Sequence, residues 1–128
     1  VRDAYNVDRL AQVGALAAIK DISYWEKNCQ RIIETRLKVE AKLEGLDWFT
    51  YKSVSNFLFT QPKNNKGVTG SKVAKSLYEF LKSKRILVRY FDAYALTCSF
   101  LRVSIGTDNQ MKNFFEGIEL WHNQEQQN

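Results

Sequence analysis

The spacing of apolar residues changes period along the chain, and this restricts the fold more than any other feature of the sequence. Apolar residues recur every three or four positions over about residues 8–19, and again after Asp21 as far as Gly45, which predicts two α-helices. Two short segments, 48–51 and 57–60, are then rich in aromatic and β-branched residues, as expected of paired strands. The chain is therefore predicted to begin with two helices followed by two strands.

The second half of the chain shows the same two periods. Helical spacing over residues 71–84 precedes two β-prone segments, 86–91 and 99–105. Thr107 and Gln110 have the spacing of a capping box, which predicts that a last helix begins there. The order α-α-β-β-α-β-β-α, in which strands do not strictly alternate with helices, predicts an α+β two-layer domain. Its helices are expected on one face of a small, mainly antiparallel sheet.

Composition limits the class of protein. The chain has 128 residues, of which 45% are apolar, and this suits one globular domain. It contains no apolar stretch of bilayer-spanning length and no export signal, so we expect a cytoplasmic protein with no membrane partner. Cys29 and Cys98 are too far apart for a short metal or redox motif. We therefore expect no metal site and no catalytic residue within the chain.

Two polar segments are predicted to contribute no chemistry. Residues 61–70 contain the only proline together with glycine and asparagine, which is typical of a flexible loop. His122 lies in a polar stretch beyond the last apolar stripe. Because the partners of a catalytic or metal-bound histidine are absent, we expect this side chain to be solvated.

Basic residues are in mild excess, with a formal net charge of +5. Several of them, between Lys63 and Arg85, could form a phosphate-binding face. They occupy outward positions of the third predicted helix and of the loop before it, where solubility alone explains them. No stacking aromatics alternate with them in that loop, so nucleic-acid binding is not expected. A basic, non-enzymatic binding module remains an alternative function.

Arg89 and Arg102 differ from the other basic residues because each lies inside a predicted strand among apolar neighbours. One interpretation is structural, with each arginine at a sheet edge, reaching solvent or pairing with a nearby carboxylate. The other is an anion clamp, since the planar guanidinium matches carboxylate or phosphate bidentately and a sheet holds it rigidly. The residues alone leave both interpretations open.

Four blocks of the sequence resemble, in order and spacing, the histidinol-phosphate aminotransferase family. They are Tyr5–Gln12, Ser55–Phe59, Ile86–Phe91 and Leu101–Thr107. The resemblance implies the C-terminal part of a fold-type-I pyridoxal-phosphate enzyme. Residues 1–20 would be a helix leading out of a large domain, and residues 21–128 would be the small domain.

The family transfers an amino group between histidinol phosphate and 2-oxoglutarate in histidine biosynthesis. The resemblance implies that pyridoxal phosphate is bound by the large domain, whose Schiff-base lysine would precede Val1. The chain alone is then expected to be inactive, and the full-length protein to be a cytoplasmic homodimer. Threonine-phosphate decarboxylases and other pyridoxal-phosphate aminotransferases share much of the pattern and remain alternatives.

The resemblance also assigns substrate-binding residues. Arg102 matches the family arginine that takes the carboxylate of glutamate and is placed towards the phosphate of histidinol phosphate, whereas Arg89 matches a second arginine at the phosphate end. Tyr5 and Asn6 match a Tyr-Asn pair near the mouth of the site. For these two residues a structural alternative stays open, with Asn6 as the N-cap of the first helix and Tyr5 as a packing residue.

Three further positions bear on the resemblance. Asn56 and Phe57 are interpreted as structural, an amide at the start of a strand followed by a core ring. Arg85 stands where the family usually has glycine, so a bulky residue occupies a position that favours a positive φ. The turn before the Arg89 strand is therefore predicted to differ from the family's.

Overall fold

The structure is a computed structural model that describes residues 7–125. Its helices are α1 Arg9–Lys20, α2 Ile22–Gly45, α3 Ser71–Ser83 and α4 Asp108–Glu125. Its strands are β1 Phe49–Tyr51, β2 Phe57–Gln61, β3 Arg89–Tyr90 and β4 Leu101–Ser104. The predicted order of elements is confirmed, and the described helices include none long and apolar enough to cross a membrane.

The strands form one antiparallel sheet in the order β1-β2-β4-β3. Side chains alternate between its two faces. Leu58, Leu101 and Val103 are buried on one face, where α3, α4 and the second half of α2 supply the rest of the core. The other face carries no helix within residues 32–125, which confirms the predicted two-layer α+β architecture.

The core of the sheet layer is formed by the apolar stripes that the sequence predicts. The second half of α2 contributes Val39 and Leu43, and the other two helices contribute their predicted inward positions. These buried helical residues are Val73, Leu77, Leu81, Phe114, Ile118 and Trp121. The capping box is also present: the Thr107 backbone N–H donates to Gln110 Oε1 at 2.8 Å, and the Gln110 N–H donates to Thr107 Oγ1 at 3.3 Å.

The chain divides into two compact units after Arg31, within α2. The first unit contains α1, in which no residue is buried and the apolar side chains are exposed. Asp8 is the N-cap of α1, since its Oδ1 accepts the Ala11 N–H at 2.9 Å. Asp8 therefore takes the capping position that was the structural alternative for Asn6, and Tyr5 and Asn6 themselves lie outside the described residues.

Helices α2 and α3 both end in a Schellman motif, and neither motif uses glycine at the left-handed position. Asp47 has φ 58°, and Arg85 has φ 62°. Beyond α3, the Ile86 N–H donates to the Leu81 carbonyl at 2.9 Å, and the Arg85 N–H to the Lys82 carbonyl at 3.0 Å, the two bonds of that motif. Gly45, the predicted end of α2, is its last helical residue rather than the left-handed one.

The second pair of strands is shorter than predicted. The segment 86–91 forms a ladder only at Arg89–Tyr90, and the segment 99–105 only at Leu101–Ser104. Residues immediately after α3 complete the helix-ending hydrogen bonds and so are not available to a neighbouring strand.

The segment 61–70, predicted to be a flexible loop, is anchored to the core. The carbonyl of Lys63 accepts the Trp48 indole N–H at 3.1 Å and lies 3.2 Å from His122 Nε2. Pro62 is buried. The prediction of a solvated His122 is wrong, because this residue of α4 is half-buried against the rings of Trp48 and Trp121.

Candidate anion-binding site

Two arginines lie side by side on the helix-free face of the sheet. Arg89 of β3 pairs directly with Arg102 of β4 in the antiparallel register, and directly opposed residues project from the same face with Cβ atoms about 5 Å apart. Leu101 and Val103, the neighbours of Arg102 along β4, point into the core. Strand alternation and register thus place both guanidinium groups on the same open surface.

Each arginine lies against an aromatic ring. The guanidinium carbon of Arg102 is 5.2 Å from the ring centroid of Phe57, and that of Arg89 is 5.5 Å from the ring centroid of Phe91. These are cation–π distances. Phe57 is half-buried on the helix-free face, so its interpretation as a core ring is wrong.

Neither arginine side chain has a hydrogen-bond or ion-pair partner among residues 7–125. Arg102 Nε is buried without a hydrogen bond. The interpretation in which a nearby carboxylate neutralises these arginines is therefore not supported within the described residues. Like charges directly opposite each other in a sheet are destabilising, so the pairing of Arg89 with Arg102 costs stability unless a nearby anion offsets it.

An aromatic cluster lies beside the arginines on the same face. It comprises Phe49, Tyr51, Phe59, Phe91 and Phe100, linked by ring contacts. Phe59 lies opposite Arg102 in the register and stacks on Phe100 at 4.7 Å. An apolar surround lowers the local dielectric and strengthens the attraction between a guanidinium and an anion.

Tyr90, between Arg89 and Phe91, projects to the opposite side of the sheet and stacks on Tyr78 of α3 at 5.6 Å. Partial burial raises the pKa of Tyr90 above its ordinary value of 10.0, and negative charge on Cys98, Asp92 and Glu79 raises it further. The phenol therefore remains neutral at physiological pH and does not offset the charge of the two arginines.

A lysine that forms a Schiff base is usually desolvated, whereas every lysine described in the structure is exposed or only half-buried. Several lysines interact locally on the surface, including Lys75 with Glu79 and Lys112 with Glu116. Within the part of the chain that the structure covers, no cluster of His, Cys, Asp and Glu could hold a metal ion.

Sequence reasoning found the two arginines but missed the rings beneath them. The spacing of Arg89 and Phe91, two residues apart on one strand, could have indicated their shared face. The contact between Phe57 and Arg102 joins two strands distant in the sequence. That contact depends on the register in which β2 pairs with β4, and the local spacing of residues does not determine this register.

The family model for aminotransferase class I and II matches residues 1–118. The chain belongs to this family. Among curated relatives, it is 42% identical to the histidinol-phosphate aminotransferase of Clostridium beijerinckii, over 92% of this chain and 31% of the relative. It is 40% identical to that of Syntrophotalea carbinolica, over 88% of this chain and 30% of the relative. The chain thus spans about a third of the length of these relatives.

The fold has a counterpart among solved structures. A crystal structure from Burkholderia pseudomallei, assigned as an aminotransferase, superimposes with a TM-score of 0.64 at 20% identity. The match covers 83% of this chain and 30% of that chain. The similarity supports the α+β fold described above.

Proposed function

We propose that this chain is the C-terminal, substrate-binding portion of a histidinol-phosphate aminotransferase that exchanges an amino group between histidinol phosphate and 2-oxoglutarate. The observation that carries the proposal is the adjacent pair Arg89 and Arg102 on one sheet, neither of which has a hydrogen-bond or ion-pair partner among residues 7–125. The names of the relatives and the family membership support the same activity. We propose that pyridoxal phosphate is bound by a separate large domain, so the chain alone is inactive.

The two arginines bind different anionic groups of the substrates. Arg102 lies on a central strand and is half-buried, so it is the better fixed of the two and takes the carboxylate of glutamate or 2-oxoglutarate. Arg89 lies on the edge strand and is exposed. With Arg102 it takes the phosphate of histidinol phosphate. A dianionic phosphate has enough oxygens to accept hydrogen bonds from both guanidinium groups.

We propose that Tyr5 and Asn6 also contribute to substrate binding, and that the full-length protein is a cytoplasmic homodimer. The basic-module alternative is less favoured, because lysines of α3 interact locally: Lys75 pairs with Glu79, and Lys82 lies over the ring of Tyr78.

The proposal is tested by steady-state kinetics of the full-length protein carrying Arg102→Ala. Loss of a charge-assisted pair costs about 1.5–3 kcal/mol, so we expect KM for glutamate to rise about 10- to 100-fold. The visible absorbance of the cofactor should be unchanged. Arg31→Ala, which removes an exposed arginine of α2, is the control and should leave KM unaltered.

An unchanged KM for glutamate in Arg102→Ala would refute the assigned site. Release of carbon dioxide from a phosphorylated amino acid, without any requirement for 2-oxoglutarate, would instead identify a decarboxylase and refute the proposed reaction.

A further inference from the structure

Phe57 and Arg102 are diagonal neighbours on the helix-free face of the sheet. Phe57 opens β2 opposite Ser104, while Arg102 lies two residues earlier on β4, opposite Phe59. Diagonal neighbours of this kind are within reach of aromatic and long side chains. The 5.2 Å separation between the guanidinium carbon and the ring centroid shows that the two side chains make this contact.

A guanidinium that lies against a ring face can still bind an anion through its terminal nitrogens, although Arg102 Nε itself is buried. A ring face attracts the cation electrostatically but does not use its in-plane N–H donors. An arginine side chain that is otherwise free loses rotamer entropy when it is fixed. A ring that already restricts Arg102 before the anion arrives reduces this cost of binding.

The position of Phe57 is itself fixed by the turn before β2. The Phe57 carbonyl accepts hydrogen bonds from Ser53 Oγ at 2.7 Å and from Ser55 Oγ at 3.2 Å. The Ser55 carbonyl in turn accepts a hydrogen bond from Arg36 Nη1 at 2.8 Å, and Arg36 of α2 is buried. The backbone that carries the ring is therefore held from the core and not by solvent-exposed contacts.

We propose that Phe57 is a positioning residue for Arg102: its ring holds the guanidinium flat, with the donor edge directed towards the bound anion. This inference rests on the proposed function, because it concerns the anion site assigned there. Arg89 provides a contrast, since it is exposed on a two-residue edge strand and its stacking partner Phe91 follows that strand. Phe57 is thus expected to matter more to anion affinity than Phe91.

The test uses the 128-residue chain, with inorganic phosphate as the probe and the arginine Nε–H resonances followed by NMR. In the wild type, protons of the Arg102 side chain should be shifted upfield by the ring current of Phe57. In Phe57→Leu this shift should disappear, and phosphate affinity should fall about 3- to 10-fold, as expected for loss of a partly desolvated cation–π contact. Phe57→Tyr keeps the ring face and should restore both observations.

Phe49→Leu is the matched control. Phe49 belongs to the same face of the sheet and is 54% exposed, but its recorded ring contacts are with Tyr51 and Phe100. Leucine keeps the position apolar, so this substitution should leave both the Arg102 resonances and the phosphate affinity unchanged. In the full-length protein, Phe57→Leu should raise KM for glutamate without a comparable change in kcat.

The outcomes separate this inference from the proposed function. If Arg102→Ala removes phosphate binding but Phe57→Leu binds phosphate as well as the wild type, the positioning role is wrong and the anion site stands. If Arg102→Ala leaves phosphate binding intact, the proposed site itself fails. If Phe57→Leu does not fold, the wild-type spectrum provides the test. The absence of a ring-current shift on the Arg102 protons would then exclude the contact with Phe57.

Discussion

Asp47 and Arg85 both have Cβ atoms and both occupy left-handed backbone conformations at helix ends, with φ 58° and φ 62°. An L-residue in this region lowers the stability of the folded state by about 1 kcal/mol relative to glycine. Aspartate tolerates it better than most residues, because its short polar side chain forms local hydrogen bonds. Arginine has no such compensation, so Arg85 is the more strained position of the two.

Replacing Arg85 with glycine is expected to stabilise the protein by about 1 kcal/mol, because glycine adopts this conformation without a Cβ clash. Urea denaturation followed by circular dichroism measures the change. Arg85→Ala is the control that removes the charge but keeps the Cβ, and it should give no comparable gain. A glycine variant less stable than the wild type would contradict the strain argument.

At the scale of elements, the packing of α4 against the end of α3 depends on the absence of a side chain at Gly117. A Cβ built there would lie 2.8 Å from Cδ2 of Leu81 and 3.0 Å from Cδ1 of Ile86. Leu81 is fully buried and has little room to move. The glycine is therefore required for close approach, although it weakens the helix that contains it.

Gly117→Ala is expected to destabilise the protein by up to about 2 kcal/mol, since overpacking a filled core costs about 1–3 kcal/mol and the gain in helix propensity offsets about 1 kcal/mol of this. The matched control is Gly45→Ala in the last turn of α2, where a new Cβ meets nothing within 4 Å. That variant should be neutral or slightly more stable. Thermal unfolding of both variants compares them directly, and equal stability would rule out the proposed clash.

At the scale of the whole molecule, the buried core lies entirely in the second unit. The core residues run from Val39 to Trp121, whereas α1 in the first unit has no buried residue. The sheet and the helices packed on it therefore have the apolar burial needed for independent stability. The two candidate arginines belong to this unit as well.

A chain shortened to residues 32–128 is expected to unfold cooperatively, with a urea midpoint close to that of the full chain. Tryptophan fluorescence provides the measurement. The shortened chain keeps the buried Trp48 and Trp121 and loses Trp25, which is 59% exposed, so its emission should shift to the blue. A gradual, non-cooperative transition would show that the second unit depends on the first.

Features that depend on residues close together in the sequence were predicted, whereas contacts between distant residues were not. The helices, the capping box of Thr107 and the order of elements depend on residues a few positions apart, and all were predicted. The lengths of β3 and β4 were overestimated; for β3, the hydrogen bonds that end α3 occupy the backbone before Arg89. His122 was misplaced since its contacts, with Trp48 and Lys63, come from distant parts of the chain.

Within the candidate site, the sequence by itself determined the identity and strand location of Arg89 and Arg102, because alternation along a strand is a local property. Only the tertiary structure decided that these residues pair directly and that Phe57 lies against Arg102. Both facts depend on the register between strands separated by ten or more residues. That register is set by packing of the whole sheet against its helices, and no local pattern encodes it.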